Sequence, residues 1–89
     1  RAPEAQLFIG ETYEKGNDAA RALEAYGRVV ELYPASAQAP TALLRAGQIE
    51  AARGNTATAR KAFDQIVAAY PRSPEAAQAR QQLQKLPRR

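Results

Sequence analysis

The 89-residue chain is the size of one small domain, carries a net charge of +4 and contains no Cys, His, Met or Trp. That composition excludes disulfides and thiolate metal sites, and it removes the commonest general base and the commonest metal ligand. Its 21 alanines favour closely approaching helices, and its charge is divided, with 5 basic and 7 acidic groups in residues 1–50 against 8 and 2 in residues 51–89.

A first helix is expected over Pro3–Lys15, with Pro3 at an early helical position where its missing N–H costs nothing. Gly16-Asn17 breaks it. Asp18 is then placed to cap a second helix reaching Tyr33, whose apolar residues at 22, 23, 26, 29, 30 and 33 form one stripe. Pro34 ends that helix. Ser36 is the expected cap of a third helix running to about Arg53, with Pro40 in its early turns. Gly54-Asn55 supplies the next break, and Thr56 is the expected cap of a fourth helix to about Tyr70, with Ala59, Phe63, Ile66, Val67 and Tyr70 as its stripe. Ser73-Pro74-Glu75 starts a fifth helix to about Leu86 by supplying a cap, a first-turn proline and an acid near the positive helix end. Pro87-Arg88-Arg89 is expected to fray.

The fifth helix has one apolar stripe, Ala76, Ala79, Leu83 and Leu86, and is polar elsewhere, the pattern of a helix that closes a stack against water. The first helix has no such polar cap before it. Leu7, Phe8 and Ile9 are adjacent and cannot all face one neighbour. We therefore expect an open apolar side there and self-association through it at high concentration. With no Met and Arg1 as its first residue, the chain is expected to be a mature or excised piece of a longer protein. No apolar run approaches the ~20 residues needed to cross a bilayer.

The elements repeat. Tyr33-Pro34 and Tyr70-Pro71 stand 37 residues apart, each followed by a serine, Ser36 or Ser73. The same shift lays Gly10 on Gly47, Ala22 on Ala59, Tyr26 on Phe63 and Val29 on Ile66. A fixed period of this length marks a solenoid, in which each helical hairpin buries its apolar face against the next. The sequence thus predicts an all-α protein whose product is a binding surface and not a catalytic pocket.

With Gly10, Tyr13, Ala22, Tyr26, Val29 and Pro34 in one unit and Gly47, Ala59, Phe63, Ile66 and Pro71 in the other, the chain resembles the tetratricopeptide repeat family. Gln6 and Leu43 stand where the family consensus has Trp, and Glu50 stands opposite Tyr13. The resemblance implies an α-α superhelix, a right-handed solenoid, with repeats over about 3–36 and 37–73 and a capping helix over about 74–86. The run from Tyr33 to Gly47, and its continuation from Ala59 through Tyr70-Pro-Arg-Ser-Pro to Arg80, is similar to the bacterial envelope members of the family. The likeness is greatest to the cell-division coordinators of the Tol-Pal system, with the outer-membrane assembly lipoproteins as a second match. Membership there implies a periplasmic adaptor, linked to envelope constriction, that binds a protein or peptide such as TolA. By the same resemblance the ligand-facing positions of the concave groove are Glu4, Leu7, Glu11 and Glu14, then Thr41, Leu44, Gln48, Ala51 and Ala52, then Gln78, Gln81 and Lys85. Leu7 and Leu44 are expected to be apolar anchors in a polar groove.

Other readings of the same residues are weaker. Tyr13, Tyr26, Tyr33, Phe63 and Tyr70 have the spacing of core side chains more than of a stacking platform. Gly10 and Gly47 lie mid-helix, where a glycine costs about 1 kcal/mol against alanine, so close approach of a partner helix must offset them. Glu11 and Glu14 lack any neighbouring nucleophile, so no enzyme and no cofactor are expected. Arg53, Arg60, Lys61, Arg72, Arg80, Lys85, Arg88 and Arg89 are dispersed without interleaved aromatics, which argues against nucleic acid. A basic module for anionic polymers is the remaining alternative of a different class.

Overall fold

Alanine-rich segments punctuated by two Tyr-Pro pairs fold as five successive helices in the computed structural model, which describes residues 2–87. They are α1 (Ala2–Lys15), α2 (Ala19–Leu32), α3 (Gln38–Ala52), α4 (Thr56–Ala69) and α5 (Pro74–Lys85). Arg88 and Arg89, part of the expected frayed end, lie outside the described residues. Short connections force consecutive helices into hairpins. Each helix packs on the next, and α1 also touches α3 as α3 touches α5. By contrast, no Cα of α2 comes within 8 Å of a Cα of α4. The odd-numbered helices therefore converge as an inner layer while α2 and α4 splay apart on the outside.

Two core clusters repeat the same chemistry. Ala22, Tyr26 and Val29 of α2 meet Ala42 of α3, with Leu7, Ala46 and Ile49 packed around them. One unit later, Ala59, Phe63 and Ile66 of α4 meet Leu43 and Leu44 of α3 and Ala76 and Ala79 of α5. Leu83 and Leu86 pack against this second cluster, so the apolar stripe expected of the fifth helix faces inward. The mid-helix glycines have a steric cause. A Cβ on Gly10 would lie 2.5 Å from the Tyr26 ring, and one on Gly47 would lie 2.6 Å from the Phe63 ring. Of the five aromatic side chains expected in the core, Tyr26 and Phe63 are buried and Tyr70 packs against the second cluster; Tyr33 is half-buried and in neither cluster, and Tyr13 is exposed and lies beneath the Arg21 guanidinium.

The helix ends differ from expectation in instructive ways. Asp18 caps α2 as expected, its carboxylate accepting from the Arg21 N–H at 3.1 Å. Ser36 does not cap α3; its hydroxyl instead donates back to the Tyr33 carbonyl at 2.7 Å, and Ala37 holds the cap position. Ser73 stands at the cap position of α5, yet its hydroxyl likewise donates to the Tyr70 carbonyl at 2.8 Å. In both Tyr-Pro-x-Ser segments the serine N–H also donates to that carbonyl at 3.1 Å, so the serine side chain closes a proline-initiated turn instead of capping the helix that follows. Thr56 is the first residue of α4, with Asn55 before it as the cap. The Asn55 side chain donates to Glu50 at 2.7 Å instead of to the helix end.

Two left-handed residues end α1 and α3. Asn17 has φ 62° and Gly54 has φ 83°, and they are equivalent under the 37-residue shift. The following N–H groups reach back to Tyr13 and Glu50 carbonyls at 2.9 and 2.8 Å, which is how a left-handed terminal residue satisfies the last carbonyls of a helix.

Candidate functional site

The inner layer, α1, α3 and α5, carries every position expected to face a ligand, and its centre is occupied by charge. Arg45, midway along α3, reaches across to α1, with its Nη1 3.6 Å from Glu14 Oε1 and its Nη2 3.9 Å from Glu11 Oε2. All three side chains are partly exposed. Glu14 is held from beneath as well, because the Tyr26 hydroxyl donates to its Oε1 at 2.6 Å. Burial of the phenol, and then its bond to Glu14, push the Tyr26 pKa well above its ordinary value. Toward the α5 side, the Thr41 hydroxyl donates to Glu75 Oε2 at 2.7 Å, tying α3 to α5. At the other end Gln48 is exposed, and with Glu14, Ala52 and Arg53 it lines a cleft of about 290 Å³.

The expected groove residues therefore divide. Glu11 and Glu14 share one cluster with Arg45, while Thr41 and Gln48 lie on the same helix toward its two ends. Gln81 is exposed on α5. The apolar anchors do not stand as expected. Leu44 is 7% exposed and belongs to the second core cluster, because α4 and α5 close over it. Leu7 is half-buried against Tyr26 and its neighbours, and Ala51 packs on the second cluster. Of the expected positions that stay exposed, all but Ala52 are polar. Arg45 is the residue that reasoning from the sequence missed; it is the lone cation between Arg28 and Arg53, opposite a helix bearing two acids three residues apart.

Among the described residues no group of three or more Asp, Glu, His or Cys is placed to hold a metal ion. Among the described residues no helix is long and apolar enough to cross a membrane. What the fold presents is a two-layered stack of helical hairpins with a polar inner face. The chain belongs to the tetratricopeptide repeat family, whose model matches residues 7–74. Among curated proteins, none matches it. Modules of this family are generally scaffolds for protein–protein interaction and are typically non-catalytic.

Proposed function

We propose that the chain is the protein-binding domain of a periplasmic adaptor, of the type of the Tol-Pal cell-division coordinator CpoB (YbgF), and that its inner groove receives a helical or extended segment of TolA. The observation that carries the groove reading is Arg45, held partly exposed between Glu11 and Glu14 at its centre. Exposed ion pairs of this kind contribute only about 0–1 kcal/mol to stability, so the cluster is better accounted for by recognition than by folding. A partner carboxylate would draw on Arg45, and a partner Lys or Arg on the two glutamates. The Tyr33-Pro34-Ala-Ser36 and Tyr70-Pro71-Arg-Ser73 segments, each closing its turn through serine, support the envelope subfamily. The outer-membrane assembly lipoprotein BamD shares that style of turn and is the second reading.

Calorimetric titration with TolA helical segments tests the proposal. Arg45→Glu places a third acid beside Glu11 and Glu14 and is expected to weaken binding at least about ten-fold, or about 1.4 kcal/mol, with unchanged helical circular dichroism. Equal affinities of the native and variant proteins would remove Arg45 and the inner groove from the interface. No binding by the native protein would reject TolA.

A further inference from the structure

On the outer face, where α2 and α4 splay apart, α3 floors a cleft of about 350 Å³. Leu23, Gly27 and Val30 of α2 and Ala62 of α4 form its walls, with Leu43 and Ala46 of α3 among the residues beneath. Glu31 and Glu50 also line it, and no Lys or Arg does, although the chain as a whole carries +4. The cleft is thus acidic in charge and apolar along its α2 wall and α3 floor, with Thr58 and Gln65 beside Ala62 on the α4 wall.

Gly27 has no structural explanation in the fold. Glycine inside a helix weakens it relative to alanine, and is usually accounted for by close packing. Gly10 and Gly47 have that account; at Gly27 an added Cβ meets nothing within 4 Å. Its backbone does not have positive φ. Nor does the repeat itself demand glycine, since the equivalent residue one unit on is Asp64. The one thing glycine secures there is an unobstructed wall of the cleft.

We propose that the cleft between α2 and α4 is a second docking site, distinct from the inner groove, for a basic amphipathic segment of a partner protein. An apolar side chain of that segment seats among Leu23, Val30 and Ala62 while its backbone passes close over Gly27. A Lys or Arg beside it pairs with Glu31 or Glu50. The charge of the lining selects this occupant over an acidic segment, and the missing Cβ allows the approach of a backbone as well as a side chain.

Two-dimensional NMR titration of the 89-residue chain with synthetic helical peptides tests this. The probe carries two leucines one turn apart flanked by lysines; one matched peptide has glutamate for lysine and another has serine for leucine. The lysine peptide is expected to shift the amides of Leu23, Gly27, Val30 and Ala62, and to bind about ten-fold more tightly than either matched peptide. Gly27→Trp fills the open space and is expected to weaken the lysine peptide about ten-fold, and Gly27→Ala, which restores the Cβ beneath the docked backbone, is expected to weaken it about three-fold. The Glu31→Lys, Glu50→Lys double variant, which leaves the cleft's shape intact should the indole disturb folding, is expected to reverse the peptide preference. The proposal is overturned if the lysine peptide does not bind at millimolar concentration, or binds no better than the glutamate peptide. It is equally overturned if the double variant keeps the native preference, or if the shifts fall at Arg45 and Gln48 instead; that last outcome leaves the inner groove standing and removes the cleft alone.

Discussion

Tyr26 and Phe63 occupy the same place in successive units, and both are fully buried. They differ by one hydroxyl, which in Tyr26 donates to Glu14 and so fixes a carboxylate of the inner groove from within the core. Tyr26→Phe removes that bond while keeping the ring that Gly10 accommodates, and is expected to cost about 1 kcal/mol at neutral pH. The pH dependence has a definite sign. Burial and the Glu14 carboxylate hold the Tyr26 pKa above its ordinary value of about 10. The unfolded chain therefore releases this proton before the folded one does. The contribution is fully present below about pH 10 and is lost as pH rises through the folded pKa. Urea midpoints of native and Tyr26→Phe protein are expected to differ at pH 7 and to converge above about pH 10. A difference that stayed constant across that range would contradict the assignment. Leu44 shows at the same scale where inference from the sequence stopped. It occupies a groove position by family register, but whether a leucine on the inner face is open depends on how closely α4 and α5 pack over it, which no local pattern encodes.

Between elements, the close approach of α3 and α4 depends on the absent side chain at Gly47. A methyl there would lie 2.6 Å from Phe63 Cε1 and 2.8 Å from Cζ, and Phe63 is fully buried with little room to move. Gly47→Ala gains helix propensity of about 1 kcal/mol but must displace the ring. A net destabilisation of about 1–3 kcal/mol is expected, read as a lower urea midpoint at unchanged slope. A midpoint equal to or above the native value would show that α3 and α4 do not approach in this register. This packing was legible from the sequence because Gly10, Gly47, Tyr26 and Phe63 share one period, and the helices were legible because each stripe ends at a Pro or Gly. The caps were not. Ser36, Ser73 and Asn55 each had a second hydrogen-bond acceptor within reach, in the Tyr33 and Tyr70 carbonyls and Glu50, and a residue-by-residue reading has no means of ranking the two. Arg45 escaped for a related reason: its partners lie on another helix, and only the stacking of α1 on α3 brings them together.

Across the whole molecule, the two ends of the stack differ. α5 turns Ala76, Ala79, Leu83 and Leu86 inward and presents a polar exterior. On α1, Phe8 is 66% and Ile9 43% exposed. Under the 37-residue shift Ala5 and Ile9 correspond to Ala42 and Ala46, which α3 packs against the core cluster of α2. Among the described residues no helix covers the corresponding face of α1. Self-association through this face is the proposed consequence; Phe8 corresponds to Arg45 and so lies toward the inner layer, whereas Ile9→Glu is expected to shift the chain toward monomer in sedimentation at millimolar concentration. A native protein that sediments as a monomer there would contradict it.

Binding of a TolA helical segment on the inner layer, with Arg45 at its centre, is the proposed role of the stack. It is tested most directly by mapping amide shifts of the labelled chain on addition of a TolA helical segment. Saturable shifts are expected at Glu11, Glu14, Arg45 and Gln48, on α1 and α3, with the outward residues of α2 and α4 unmoved. Shifts confined to α2 and α4, or none at saturating peptide, would contradict it.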